Sequence, residues 1–145
     1  MRATIKVIAL DLEGTLVSNA MSQIPRPGLF TFLEGCAALA GEVVAFTTVR
    51  EPPFREVAGL LVKEQLAPPW FETIRYVEWQ GKTKNLEHVQ TAAVEECLLV
   101  DDYEVYVHPG QESQWVPIAE FQSPYPDDDR ELEKTLATLR QRAAG

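Results

Sequence analysis

Three short apolar runs that each end in hydroxyl or carboxylate side chains constrain the fold of this chain more than any other feature. The runs cover residues 4–10, 42–48 and 97–102. Each predicts a strand buried on both faces, and helix-like segments separate one run from the next. Such strands form a parallel sheet covered on both sides, whose ligands bind outside the carboxyl ends of the strands. We therefore predict an α/β fold with a polar crevice at the strand ends. The residues expected there are Asp11, Glu13, Thr47, Thr48, Asp101 and Asp102.

Apolar residues at helical spacing predict the elements around these strands. The helices are expected over residues 28–39, 52–66 and about 85–95, and from Pro126 onward. The acidic residues 127–129 are expected to cap the last helix on a solvated face rather than bind a metal, because negative charge is favourable near a helix N-terminus. Residues 70–79 predict one or two extended segments, which could form a small β insertion over about 70–81 with Gly81 at a hairpin turn.

The composition is that of one globular domain over residues 1–145. Apolar residues make up 46% of the chain, which excludes intrinsic disorder, and a chain of this length buries roughly 70% of its unfolded surface. No run approaches the ~18–20 apolar residues of a membrane span, and the start turns acidic at Asp11 before a signal-peptide core forms. We therefore expect a cytoplasmic protein with no membrane partner. The net charge of −9, without a Lys/Arg cluster, argues against a nucleic-acid partner.

The cysteines and histidines predict no chemistry of their own. Cys36 and Cys97 lie in apolar stretches without metal-ligand spacing, so they are expected to be buried free thiols. Neither His88 nor His108 is paired in the sequence with a nucleophilic serine or cysteine.

The end of the first strand, Asp11-Leu-Glu-Gly-Thr, resembles the Asp-x-Asp-x-Thr motif of phosphatases of the haloacid-dehalogenase-like superfamily. Further pieces of the pattern follow in the expected order along the chain. These pieces, taken with Arg26-Pro-Gly and Asp128-Asp-Arg-Glu-Leu, resemble the pattern of the NLI-interacting-factor-like phosphatases. That family includes small phosphatases of the RNA polymerase II carboxy-terminal domain. These further pieces are Phe46-Thr47, Lys84-Asn-Leu and Val100-Asp101-Asp102. The resemblance covers about residues 5–140 and implies a three-layer, Rossmann-like fold without a cap domain.

The resemblance assigns the reacting groups. Asp11 would be the nucleophile that forms an aspartyl-phosphate, which water then hydrolyses. The charges of phosphate and carboxylates call for a hard divalent ion, and Mg²⁺ fits this need. Its ligands would be the Asp11 carboxylate, the backbone carbonyl of Glu13 and one carboxylate of the Asp101–Asp102 pair. We favour Asp102 as the direct ligand and give Asp101 a supporting or alternate role.

The resemblance also implies two groups that bind the phosphate. Thr47 would donate a hydrogen bond to a phosphate oxygen, with Thr48 as its nearest competitor. A lysine must balance the negative charge, and Lys84 is preferred over Lys82 because Lys-Asn-Leu opens the segment before the third strand as in the family. Arg50 could approach a substrate phosphate but is expected to be exposed without a ligand.

Glu13 departs from the family pattern, which has aspartate there as general acid and base. Glutamate keeps the carboxyl group but is one methylene longer, and a displacement of ~1 Å can cost ~10²-fold in rate. The metal need not be affected, since the ligand at this position is a backbone carbonyl.

Three functions follow from this reading. The first is a Mg²⁺-dependent phosphomonoesterase acting on a phosphoprotein or a small phosphate ester. The alternative is a module that binds Mg²⁺ and phosphate with weak or lost turnover because of Glu13. A phosphotransferase is a third and weaker possibility. Trp70 or Trp79 could line a substrate groove, although packing is the simpler role.

Overall fold

The computed structural model describes residues 4–144, and a parallel sheet of five strands forms its centre. The strands are β1 (Val7–Leu10), β2 (Glu42–Ala45), β3 (Arg75–Tyr76), β4 (Cys97–Asp101) and β5 (Trp115–Pro117). Their order across the sheet is β3-β2-β1-β4-β5, and every neighbouring pair is parallel. The central strand β1 pairs along its whole length with both β2 and β4. This arrangement confirms the predicted Rossmann-like α/β fold.

Three α-helices cover one face of the sheet. They are α1 (Leu29–Leu39), α2 (Glu51–Lys63) and α3 (Glu131–Ala144). Their buried stripes join Ile8 and Leu10 of β1 in one apolar core. A Cβ added to Gly35 of α1 would lie 2.6 Å from Leu136 of α3, so the missing side chain lets these two helices approach closely.

The opposite face is covered by 3₁₀ turns, whereas a helix was predicted over about residues 85–95. Val7 and Ala9 of β1 point to this face and pack with the turn Leu86–Val89. A second turn, Val94–Glu96, leads directly into β4. The helical prediction is wrong because Gln90, with a φ of 68°, ends the first turn in the left-handed region.

The hairpin predicted near residues 70–81 is also wrong. Residues Pro69–Thr73 form a 3₁₀ turn, and the chain then enters β3, which pairs in parallel with β2. The segment therefore forms an edge strand of the main sheet, paired with β2, instead of a separate hairpin. The Tyr76 hydroxyl fixes this edge by donating a hydrogen bond of 2.6 Å to the Val49 carbonyl.

The start of α3 differs in part from its prediction. The Asp129 carboxylate accepts a hydrogen bond from the Glu131 backbone N–H, as expected of a cap. Its side chain is nevertheless only 11% exposed, because it also pairs with the buried Arg26. A solvated face therefore describes the exposed residues 127 and 128 but not Asp129.

Both cysteines are buried free thiols, as predicted. Burial raises the pKa of the Cys36 thiol to about 12. Within residues 4–144, no helix has the length and apolar character needed to cross a membrane.

Candidate active site

Three aspartates meet where the neighbouring strands β1 and β4 end. Asp11 follows β1 directly, Asp101 is the last residue of β4, and Asp102 comes next. One carboxylate oxygen from each lies within 4.8 Å of the others. Asp101 is fully buried and Asp11 is only 5% exposed. Residues separated widely in sequence are thus brought to one edge of the sheet, as the strand pattern predicted.

Lys84 reaches into this cluster from the opposite face of the sheet. Its Nζ donates hydrogen bonds of 2.9 Å to Asp11 Oδ1 and 2.5 Å to Asp101 Oδ2, and the residue is fully buried. The Tyr106 ring lies 5.0 Å from the ammonium, and the Tyr106 carbonyl accepts a 2.7 Å hydrogen bond from the Lys84 backbone N–H. Burial alone would lower the Lys84 pKa, but the two carboxylates raise it above its ordinary value, so the ammonium stays charged.

The turn after Asp11 presses against Asp102. Gly14 has a φ of 74°, and a Cβ added there would lie 2.6 Å from Asp102 Oδ2. The Thr15 hydroxyl lies 2.8 Å from Asp11 Oδ2 and 3.1 Å from Asp102 Oδ1. Since a hydroxyl has a single proton, Thr15 donates to one of these carboxylates at a time. Glycine is required here both for the backbone angle and for the space.

The cluster holds more negative charge than Lys84 balances. Burial and the neighbouring Asp11 carboxylate raise the pKa of Asp102 to about 7. The same causes raise the pKa of Asp101 to about 6, against the lowering effect of Lys84. Carboxylate oxygens at this spacing, with uncompensated charge, fit a hard divalent cation.

Glu13 shares a cavity of about 350 Å³ with Asp11 and Asp102, but its carboxylate has a partner elsewhere. Glu13 Oε2 accepts a hydrogen bond of 2.7 Å from the backbone N–H of Ala20. The additional methylene of glutamate is thus used to reach the segment that follows the turn.

Thr47 lies beside the aspartate cluster and not within it. It lines an adjoining cavity of about 800 Å³ together with Trp79. Its Oγ1 accepts a hydrogen bond from the Val49 N–H, and its carbonyl accepts one from the Trp79 indole N–H. Thr48 and Tyr106 line both cavities, so the two cavities adjoin.

The other cationic candidates lie in the same larger cavity. Arg50 and Lys82 are exposed and line it together with Glu78. Trp70 instead packs against Phe71. Of the two tryptophans considered for a substrate groove, only Trp79 reaches this cavity.

Sequence reasoning gave no role to Thr15 or Tyr106. The signal for Thr15 was present, since it is the threonine of the Asp-x-Asp-x-Thr pattern. Nothing local marks Tyr106, because its ring meets Lys84 only through the folding of the chain after β4.

A parallel α/β sheet with an aspartate–lysine–aspartate cluster at its carboxyl edge defines the haloacid-dehalogenase-like class. Within it, the NLI interacting factor-like phosphatase family matches residues 6–144, and the chain belongs to this family. The family confirms the resemblance seen in the sequence and identifies the chain as a phosphatase that acts on phosphorylated substrates. No curated protein matches the chain.

Proposed function

We propose that this protein is a Mg²⁺-dependent phosphomonoester hydrolase that works through an aspartyl-phosphate on Asp11. The observation that carries the proposal is the contact of Lys84 Nζ with both Asp11 and Asp101, beside Asp102, in a chain of a phosphatase family. The buried Asp11 carboxylate can act as a nucleophile, and the fixed Lys84 ammonium beside it provides positive charge for a phosphate group.

The cation would be held by Asp11, Asp102 and the backbone carbonyl of Glu13. Asp102 lines the cavity that Asp11 and Glu13 share, whereas Asp101 is fully buried and bound by Lys84 and the Tyr103 backbone N–H, which supports Asp102 as the direct ligand. Bound Mg²⁺ would neutralise the carboxylates and polarise the phosphoryl oxygens.

In the first step an Asp11 carboxylate oxygen attacks phosphorus, and the bond between phosphorus and the leaving oxygen breaks. Protonated Glu13 gives its proton to that oxygen, so the alcohol leaves neutral. Lys84 stabilises the negative charge of the phosphoryl group, and Thr47 or Thr48 binds one of its oxygens. Glu13 either breaks its hydrogen bond with the Ala20 N–H to reach the leaving oxygen, or protonates that oxygen from the position that it has in the structure.

In the second step water attacks phosphorus and the bond from phosphorus to Asp11 breaks. Glu13, now ionised, accepts the proton of the water. Asp11 returns to its carboxylate form and inorganic phosphate leaves, so protons and charge balance over the cycle.

The leaving group would occupy the larger cavity beside Thr47. Trp79 and Tyr106 offer apolar surface there, and Arg50, Lys82 and Glu78 offer charge of both signs. A phosphoprotein side chain and a small phosphate ester are both compatible with an opening of this kind.

The test is hydrolysis of p-nitrophenyl phosphate with Mg²⁺ and with EDTA, beside an Asp11→Asn control. We expect turnover that requires Mg²⁺ and disappears in the control. If the wild type binds Mg²⁺ but hydrolyses neither aryl nor alkyl phosphates, the proposal is wrong and the module without turnover replaces it. Membership in a phosphatase family favours turnover over that alternative.

A further inference from the structure

Arg26 is a fully engaged charge in the interior of the protein. The residue is 1% exposed, and a guanidinium carries five N–H donors. Two of them bind the Asp129 carboxylate, at 2.9 and 3.1 Å. One binds the Ala119 carbonyl at 2.6 Å, and the remaining two bind the carbonyls of Gly14 and Thr15 at 3.2 and 3.3 Å. Every donor of this side chain therefore has an acceptor.

Two of the three carbonyls that Arg26 binds, those of Gly14 and Thr15, belong to the turn that touches the aspartate cluster. Gly14 leaves no room for a Cβ beside Asp102, and the Thr15 hydroxyl lies between Asp11 and Asp102. The Gly14 carbonyl also accepts a 2.8 Å hydrogen bond from the Phe121 N–H. Hydrogen bonds from Arg26 and from the Phe121 N–H therefore hold the backbone of this turn in position.

We propose that Arg26 is a positioning residue for the divalent-ion site, acting through the backbone of Gly14 and Thr15. The inference rests on the proposed function, since it concerns the same cation. The guanidinium is neutralised by Asp129 on one edge, and the other edge fixes the two carbonyls by charge-assisted hydrogen bonds. Mutation of the partners that hold metal-ligating groups in place typically weakens metal affinity by roughly 10- to 100-fold.

Lysine cannot replace arginine in this arrangement. An ammonium keeps the charge and can still pair with Asp129, but it lacks the planar fork that reaches a carboxylate and two carbonyls at once. Arg26→Lys is therefore expected to keep the ion pair with Asp129 and to lose the hydrogen bonds to the Gly14 and Thr15 carbonyls.

Arg75→Lys is the matched control. Arg75 also binds a carboxylate through two nitrogens, with Nε and Nη2 at 2.8 and 3.1 Å from the Glu42 oxygens. Glu42 is the first residue of β2, so this pair lies at the opposite end of the sheet from the aspartates. The same substitution there replaces a two-nitrogen contact of arginine with a carboxylate, in a more exposed pair, without touching the turn.

The experiment measures the Mg²⁺ dissociation constant of the full chain by isothermal titration calorimetry, at a temperature where circular dichroism shows each variant folded. We expect Arg26→Lys to raise the dissociation constant about tenfold and Arg75→Lys to leave it unchanged. If Arg26→Lys is unfolded, Arg26→Gln is titrated in trimethylamine N-oxide, which favours the compact state, and the same tenfold rise is expected.

Two failures are distinguishable. A wild type that binds no Mg²⁺ overturns the proposed function and this inference with it. A wild type that binds Mg²⁺, with an Arg26 variant that binds it equally well once folded, overturns this inference alone and leaves Arg26 as a stabilising residue only.

Discussion

Replacing Gly14 with alanine tests the close approach of the turn to Asp102. The added Cβ would lie 2.6 Å from Asp102 Oδ2, so the carboxylate must retreat by roughly 0.8 Å to reach ordinary contact. Metal–ligand distances tolerate about ±0.2 Å. Asp102 is half-buried, so without a cation its side chain can turn away at small cost. The structure therefore predicts a loss of ion binding rather than a collapse of the fold.

Gly28→Ala is the control for backbone strain. Gly28 has a φ of 84°, close to the 74° of Gly14, and nothing lies within 4 Å of its added Cβ. An alanine with positive φ costs about 1 kcal/mol at either position. In EDTA the two variants should therefore be destabilised equally in urea.

Mg²⁺ should then separate the two variants. A tenfold rise in the dissociation constant removes about 1.4 kcal/mol of the stabilisation that saturating ion supplies. We expect Gly14→Ala to show at least this loss in urea unfolding with Mg²⁺, and Gly28→Ala to show none. If Gly14→Ala gains as much stability from Mg²⁺ as Gly28→Ala, then Asp102 is not held against the turn as described, or is not a ligand.

Three further outcomes are expected. Lys84→Met leaves buried carboxylates unpaired and should cost about 3 kcal/mol in urea unfolding in EDTA, whereas the exposed Lys82→Met should cost at most ~0.5 kcal/mol; equal losses would contradict the placement of Lys84. Glu13→Gln keeps an oxygen for the Ala20 N–H but cannot transfer a proton, so kcat for an alkyl phosphate should fall roughly 10²-fold without loss of stability, and unchanged turnover would remove Glu13 from the mechanism. Burial raises the Asp129 pKa, but hydrogen bonds from Arg26 and the Glu131 backbone bring it below its ordinary value. Its ionised form therefore stabilises the fold above a pH of about 4, and Asp129→Asn should destabilise the protein at neutral pH by an amount that vanishes as the pH falls through the lowered pKa; a difference that persists in acid would refute the pairing.

The strand ends could be predicted because their signal is local. An apolar run followed directly by carboxylates specifies both a buried strand and the chemistry at its end, as at β1 with Asp11 and β4 with Asp101. Lys84 was chosen over Lys82 from the family pattern alone, and the structure places its ammonium against Asp11. Its catalytic role stays a prediction.

The parts that could not be predicted depend on contacts distant in sequence. The 3₁₀ turn after Lys84 is held by Gln111, whose side chain accepts a hydrogen bond from the Leu86 N–H and donates one to Asn85. The helical spacing of apolar residues in the sequence does not reveal such a partner. The short strand β3 likewise forms where the edge of β2 is available, which a local pattern does not reveal.

Glu13 shows the same limit at the level of one side chain. Its departure from aspartate was read as a handicap, because the sequence gives the length of a side chain but not its partner. The Ala20 N–H supplies that partner. The kcat of Glu13→Asp, compared with that of the wild type, distinguishes a glutamate that slows turnover from one that serves it.

The contacts that hold Lys84 in place have a consequence for folding kinetics. Its two acceptors lie 73 and 17 residues away in the sequence, and its own backbone N–H binds the carbonyl of Tyr106, in the chain after β4. Contacts between residues so far apart in sequence cost loop-closure entropy before they stabilise the fold. The ion site is therefore expected to be absent from the folding transition state. Bound Mg²⁺ should consequently slow unfolding while leaving the folding rate nearly unchanged, so that the ion extends the lifetime of the native state.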